Sequence, residues 1–269
     1  MARTPFSFGI PLIGRAVADD WPLVEALLEL TLASVAAQTQ QDFQVIVAGH
    51  DRPEVLPRDD PRFTFVQAPW PVEAVRSDNL DGGRKKFAIS ELVRERGGGL
   101  LMFLDADDWV DTQLVEATRA VIDERHVVAV IEGGYAVGLR GLEAVQLPHP
   151  EVFDGQFHQV CGSSVVLQLW PDDPDSLRRD PYAVLHEHHR CLEVASEHGL
   201  EVARVPAVGA YLVDTSVNHS ELHGPFARWR REFNEGVRRA GRPVDEAFAA
   251  RFGLSLAQIR RSCRQNSRD

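Results

Sequence analysis

An α/β domain with a mostly parallel open sheet flanked by helices is the fold class this sequence predicts, on three observations. Apolar, strand-like runs alternate with helix-length amphipathic segments from residue 6 to about residue 132. FQVIVAG (43–49) and LLMFL (100–104) are apolar almost without a break, as parallel strands covered on both faces should be. The length, 269 residues, suffices for one large domain of this kind with a substantial core.

The elements follow in order. FSFGIPLI (6–13) reads as a short buried strand closed by Pro11 and Gly14. Asp19 or Asp20 caps a helix with Pro22 in its first turn, running to about Ala37. Val24, Leu27, Leu28, Thr31 and Val35 share one face of it at helical spacing. After QTQQD come the strand FQVIVAG, a proline-rich loop and a third strand, FTFVQAP (63–69). Residues 82–96 form a basic amphipathic helix, GGG breaks it, and LLMFL makes a fourth strand. A helix near 111–124 and a strand HVVAVIE (126–132) complete the regular part. From Gly133 to about Asp180 the pattern is irregular, with GSSVVLQLW (162–170) its one strand-like run. Residues 181–199 read as a helix stopped at Gly199, LEVARVP (200–206) as another strand, and the tail as basic helices. The expected organisation is a main domain over 1–224, with a donor half at 1–125 and an acceptor half at 126–224. A C-terminal helical extension over 225–269 packs on it.

Composition narrows the function. With 29 basic against 40 acidic residues the net charge is −11, so no overall positive field attracts a nucleic acid polymer. A nucleotide ligand needs only local cations or a metal and stays open. Three scattered cysteines without a CxxC pair argue against a disulfide framework or zinc knuckle and for a reducing, cytoplasmic setting. The N-terminus lacks the form of a signal peptide, and no apolar run approaches the ~18 residues of a membrane span.

GGGLLMFLDADDWVD (97–111) carries the chemistry. A buried strand runs straight into Asp105, Asp107 and Asp108, which repel one another unless a cation, arginines or water answers them. Ligands of open α/β sheets bind outside the carboxyl ends of the strands, where Asp105 stands. Hard cations such as Mg²⁺ and Mn²⁺ take carboxylate oxygens and bridge to phosphates, which suggests a nucleoside diphosphate. The plainer alternative is an acidic helix cap, with Asp108 or Asp111 starting the next helix.

Taken together, FSFGIPLI, TLASVAAQT, DFQVIVAGHD and FLDADDW resemble the family-2 glycosyltransferases of the GT-A fold. The likeness covers roughly residues 6–115 and is looser over 160–225. It implies a transferase that moves a sugar from a nucleoside-diphosphate sugar to a hydroxyl, with inversion and with Mg²⁺ or Mn²⁺. The acceptor implied is a glycan, a lipid-linked sugar or a protein. Asp107 then resembles the metal-binding carboxylate, and Asp105 one that contacts the metal, the ribose or the donor sugar. Pro11, Leu12 and Ile13 resemble the loop against which base and ribose lie. Where the family has an acidic residue reading the base, this chain has Gly49, His50 and Asp51. Either Asp51 takes that role after a one-residue shift or base recognition differs.

DNLDGGRKKFAI (78–89) matches in position the segment that brings an arginine near the diphosphate, so Arg84 and Lys85, with Lys86 beside them, are expected to stabilise the leaving group. Asp78 or Asp81 is expected near the base or ribose. Read against the family's EDxxxxxRxxxxG helix, HEHHRCLEVASEHG (186–199) places Glu187 on the Glu and His188 on the Asp that supplies the general base. A zinc-protease HExxH fails there, because Arg190 stands at the second histidine's position. His186 and His189, three apart, either hold a metal or stay solvated. In SVNHSELHG, His219 or His223 is the expected completion of the metal shell, against the plain reading of loop histidines. Gly162 and Ser163 either admit sugar hydroxyls or merely pack.

The alternative to an enzyme is a non-catalytic sugar-nucleotide or glycan binder on a degenerate GT-A fold, favoured by the departures at Gly49 and His188. A nucleotidyltransferase is disfavoured because no glycine-rich GxGTRxxP-like loop occurs near the N-terminus. P-loop, dinucleotide and GxSxG signatures are absent.

Overall fold

The computed structural model describes residues 4–73, 79–185, 188–222 and 226–265. Among the described residues ten strands form one curled mixed sheet. They are β1 (Phe6–Pro11), β2 (Phe43–Gly49), β3 (Phe63–Gln67), β4 (Gly99–Phe103), β5 (Trp109–Val110), β6 (His126–Gly138), β7 (Glu143–Leu147), β8 (Val165–Leu169), β9 (Glu201–Val213) and β10 (Arg242–Pro243). The order across the sheet is β10-β7-β6-β8-β4-β1-β2-β3, with β9 beside β6 and β5 beside β9. Strands β1 to β4, β6, β9 and β10 run one way, and β5, β7 and β8 the other, so the sheet is mostly parallel in direction.

Period-two alternation explains the layering. Phe8, Ile10, Val45, Val47, Leu100 and Met102 meet α1 (Trp21–Ala36) through Val24, Leu28, Leu32 and Val35. Their neighbours Ile46, Ala48, Leu101 and Phe103 turn to the other face and meet Ile89 and Val93 of α2 (Leu80–Glu95). A Cβ at Gly9 would stand 2.7 Å from Ile89 Cγ2, so only glycine lets α2 lie this close to β1. Asp20 caps α1 by accepting the Leu23 N–H at 2.9 Å. Gly97, Gly98 and Gly99 all have positive φ; Gly98 N–H closes α2 on the Val93 carbonyl, and the chain turns at once into β4.

Helix α3 (Leu114–Val121) follows β5, and the remaining helices are α4 (Ser176–Arg179), α5 (Tyr182–Leu185), α6 (Cys191–Glu197), α7 (His219–Leu222), α8 (Ala227–Ala240), α9 (Glu246–Arg251) and α10 (Leu256–Gln265). The expected single helix over 181–199 is instead α5, a 3₁₀ turn at His188–Arg190 and α6, with 186–187 outside the described residues. His188 bonds to the His158 carbonyl, a distant partner that holds this turn apart from the two helices. The irregular stretch after Gly133 contains β7 and the continuation of β6, and the strand expected at 200–206 runs on to Val213. Both extensions come from mutual pairing: β6 and β9 lie parallel from His126 to Gly138. The C-terminal segment from Val244 to Ile259 packs against α1 and β5. Val244, Ala249, Phe252, Leu254 and Ile259 are buried with Leu23 and Leu27 of α1 and with Trp109. No helix among the described residues is long and apolar enough to cross a membrane.

Candidate functional site

The chain leaves β4 at a turn held from three sides. The Asp105 N–H donates to Ser163 Oγ at 2.8 Å, and Thr31 Oγ1 of α1 donates to the Ala106 carbonyl at 3.0 Å. Asp108 is almost fully buried and accepts the Leu212 N–H of β9 at 3.0 Å and the Cys161 thiol at 3.4 Å. Asp111 accepts the Gln113 N–H at 3.0 Å and the Arg251 Nε–H at 3.0 Å. Local capping and tethering therefore occupy Asp108 and Asp111. Asp105 and Asp107, two apart, line the cavity at the carboxyl end of the sheet.

The polar neighbour of Asp107 is Asn218, whose Nδ2 donates to Oδ2 at 3.2 Å. Burial pushes the Asp107 carboxyl well above its ordinary value, and the charges of Asp108, Asp105 and Glu221 add to the push. Asp108 is pushed up to about 7, by burial first and then by Asp105. Carboxylates this crowded, without a cationic side chain paired to Asp105 or Asp107 among the described residues, form an oxygen-only donor set with surplus negative charge. That chemistry suits a hard divalent cation taking one or two carboxylates and completing its shell with water and phosphate. Among the described residues no group of three or more His, Cys, Asp or Glu converges as a complete metal cage. His223 lies outside the described residues, as does the side chain of His219.

The cavity has a volume of about 370 Å³. Its first wall is Pro11, Leu12 and Ile13 with the start of α2: Asn79, Leu80, Asp81, Gly82, Lys85 and Lys86. Lys85 is 1% exposed, donates to the Leu12 carbonyl at 2.7 Å and is ion-paired with Asp81. Asp81 also accepts the Trp70 Nε1–H at 2.8 Å. Burial lowers the Lys85 pKa and Asp81 opposes it; Asp81 itself, raised by burial, ends low because Lys85 and Trp70 donate to it. Lys85 thus clamps the β1 loop to α2, and its charge is spoken for. Arg84 does not itself line the cavity but pairs at 2.8 Å with Glu73, which does. Lys86 does line it, with its ammonium 5.6 Å from the Phe103 ring centre. Asp51 accepts the Arg15 N–H at 2.8 Å and stands outside the cavity lining. Asp78 and Glu187 lie outside the described residues.

A second part of the lining includes Val160, Gly162, His188, Tyr211, Val217, Asn218 and Arg230. His188 Nδ1 lies 2.6 Å from the His158 carbonyl, which can only accept, so Nδ1 carries the proton and Nε2 keeps its lone pair. Burial pushes the His188 pKa down to about 4, against the opposing hydrogen bond to His158. A Cβ on Gly162 would stand 3.3 Å from Asp105 Oδ2 and 4.0 Å from His188 Nε2. Glycine there keeps a slot open between carboxylate and imidazole. Ser163 is buried and holds the Asp105 backbone. Asn218 and Arg230 escaped the sequence reading. Asn218 sits beside the histidine that drew attention in SVNHSELHG, and Arg230 is one of several arginines in a basic helix with no local signature.

No protein-family model matches the chain, and no curated protein sequence matches it. Among solved structures, the inositol-1-phosphate CTP transferase from T. maritima is 13% identical, with a TM-score of 0.42 over 88% of this chain and 98% of its own. S. aureus TarS is 12% identical, with a TM-score of 0.41 over 76% of this chain and 36% of its own. The glycosyltransferase GlyE of Streptococcus pneumoniae is 8% identical, with a TM-score of 0.36 over 74% of this chain and 41% of its own. The chain thus spans well under half the length of TarS and of GlyE. At these scores the likeness carries no functional argument; the residues of the site must carry it.

Proposed function

We propose that this protein transfers a glycosyl group from a nucleoside-diphosphate sugar to an acceptor hydroxyl, with inversion at the anomeric carbon. One observation carries the reading: Asp105 and Asp107 face the crevice at the β4 mouth without a cationic partner among the described residues, across a glycine slot from the unprotonated Nε2 of His188. Asp105 and Asp107 would hold Mg²⁺ or Mn²⁺, which when bound supplies Lewis-acid neutralisation of the donor diphosphate. Pro11, Leu12 and Ile13, fixed by Lys85, form the wall for base and ribose. His188 Nε2 takes the proton of the acceptor hydroxyl, whose oxygen bonds to the anomeric carbon as the bond to the diphosphate oxygen breaks. Lys86 faces the negative charge that leaves with the diphosphate, the role expected of Arg84 and Lys85.

A second reading, a binder of sugar nucleotides without turnover, draws on His188. A base whose pKa lies at about 4 is weaker than an ordinary imidazole. Nucleoside-diphosphate release from UDP-, GDP- and dTDP-sugars, measured with Mn²⁺ and with EDTA, separates the two. The enzyme reading expects release that EDTA, Asp107→Ala and His188→Ala each abolish. Metal-dependent binding with no release from any donor, even with acceptor extracts present, leaves the binder.

A further inference from the structure

The second wall of the cavity holds a cation that the transfer as written does not use. Arg230, on α8, lines the cavity beside Val160 and Tyr211. Its guanidinium makes one short bond, from Nη1 to the Tyr211 hydroxyl at 2.7 Å, and reaches the Val160 carbonyl only at 3.5 Å. Its Nε is buried and has no hydrogen-bond partner. Among the described residues no carboxylate lies within ion-pair distance of it, whereas Arg228 and Arg238 on the same helix pair with Glu232 and Asp214. The group is also held in place: its centre lies 5.0 Å from the Trp229 ring and 5.3 Å from the Tyr211 ring. Trp229 is in turn packed on Phe153 and Phe233.

A planar guanidinium fixed between two aromatic rings, with a single short hydrogen bond and its Nε–H without a partner, is preorganised for a carboxylate or phosphate. A neutral sugar hydroxyl gives such a group no reason to be there. Its anchoring also differs from that of the donor side: Arg230 and His188 are both held on the segment that leads into Gly162, through the Val160 and His158 carbonyls, whereas Lys86 comes from α2 and Leu12 from the loop after β1, although the Lys86 charge also reaches His188. We propose that Arg230 is the anion subsite of the acceptor face, so that the acceptor carries a phosphate or carboxylate near its nucleophilic hydroxyl. That the ligand is an acceptor rests on the glycosyl-transfer reading; the anion subsite itself does not.

The test is thermal unfolding of the full chain with small probes, in buffer free of other multivalent anions. Glycerol 3-phosphate and glucuronate are compared with glycerol and glucose, and UDP and GDP with Mn²⁺ form a separate donor arm. The expected result is a rise of at least ~2 °C with glycerol 3-phosphate, glucuronate or both, and none with the neutral pair. Whichever acid acts identifies phosphate or carboxylate as the group. Arg230→Gln should abolish that rise and keep the nucleotide response, and Lys86→Gln should do the reverse. Should Arg230→Gln not fold, Arg230→Lys, which keeps the charge and loses the fork, should weaken the acid response at least ~5-fold in apparent affinity. No acid response in the wild type, an equal one in the Arg230 variant, or loss of the nucleotide response instead would overturn the proposal. If the nucleotide arm alone is silent in the wild type, the glycosyl-transfer reading falls and the anion subsite stands.

Discussion

Asp107→Asn isolates the electrostatic cost built into the turn after β4. In the fold this carboxyl is desolvated and faces Asp105, Asp108 and Glu221, so the native state holds its proton at pH values where the unfolded chain has lost it. The folded pKa is raised, so the charged form opposes folding: stability falls as pH rises above the unfolded value near 3.8, until the native group also ionises. Across that window the wild type loses up to about 1.4 kcal/mol per pH unit relative to a side chain that cannot ionise. Asparagine keeps the size, and its amide can turn its oxygen to the Asn218 Nδ2–H now 3.2 Å from Oδ2. The comparison must be between the two proteins at each pH, because buried His188 and His158, with lowered pKa values, tilt stability the other way. In EDTA, the variant should match the wild type near pH 4 and exceed it by a margin that grows toward pH 8, each 1 kcal/mol of it raising Tm by about 2–4 °C for a chain of this size. With Mn²⁺ the order should shift: ligand at 100 times its dissociation constant adds about 2.7 kcal/mol to the wild type and little to the variant. Calorimetric melts at pH 4, 6 and 8, with and without Mn²⁺, read all of this. A variant equal to or less stable than the wild type at pH 8 in EDTA would refute the reasoning.

Gly162→Ala places a methyl 3.3 Å from Asp105 Oδ2, so nucleoside-diphosphate release should drop by at least ~10-fold while Tm moves by less than ~3 °C; a large Tm loss would mean that packing, not the slot, needs glycine. Lys85→Met removes the cation joining Leu12 to Asp81 and should destabilise by about 2–4 kcal/mol in a denaturant melt, whereas Arg84→Met, at an exposed pair, should cost below ~1 kcal/mol. The acid limb of the release rate should lie well below pH 6.5, since burial keeps His188 unprotonated until pH nears 4; a limb at 6.5 would remove His188 as the base. Cys161 and Cys191 are buried with thiols pushed up, Cys191 to about 11, so iodoacetamide at pH 8 should label neither before unfolding, as mass spectrometry of the native protein will show.

What was legible in the sequence was whatever rested on local pattern. The unbroken apolar runs marked β2 and β4, the three glycines marked the change from α2 to β4, and the DxD spacing marked the two carboxylates that reach the cavity. The pattern failed where distant partners decide. Strand β5 is two residues long and exists only because β9 pairs with it, and β7 is drawn out of an irregular stretch by β6. Lys85 reads as a free cation in GGRKKF, because a sequence does not show that the Leu12 carbonyl lies in its path. Arg84 and Lys86 flank it with the same charge, and only the phase of α2 against the sheet puts one in an ion pair with Glu73 and the other in the cavity lining itself. Arg230 reaches the site from the other end of the chain by way of packing that no motif encodes.

The turn at 105–108 is a junction between distant parts of the molecule. It is bonded to α1 through Thr31, to the segment before β8 through Ser163, to β9 through Leu212 and to the loop before α7 through Asn218. A fragment ending before β6 would carry both aspartates and none of the last three anchors. Such a piece, however well it folded, would present its acids on a loop that keeps only its tether to α1. The recognisable N-terminal part is therefore not a minimal working unit, and grafting or trimming schemes must retain the later strands to preserve the pocket.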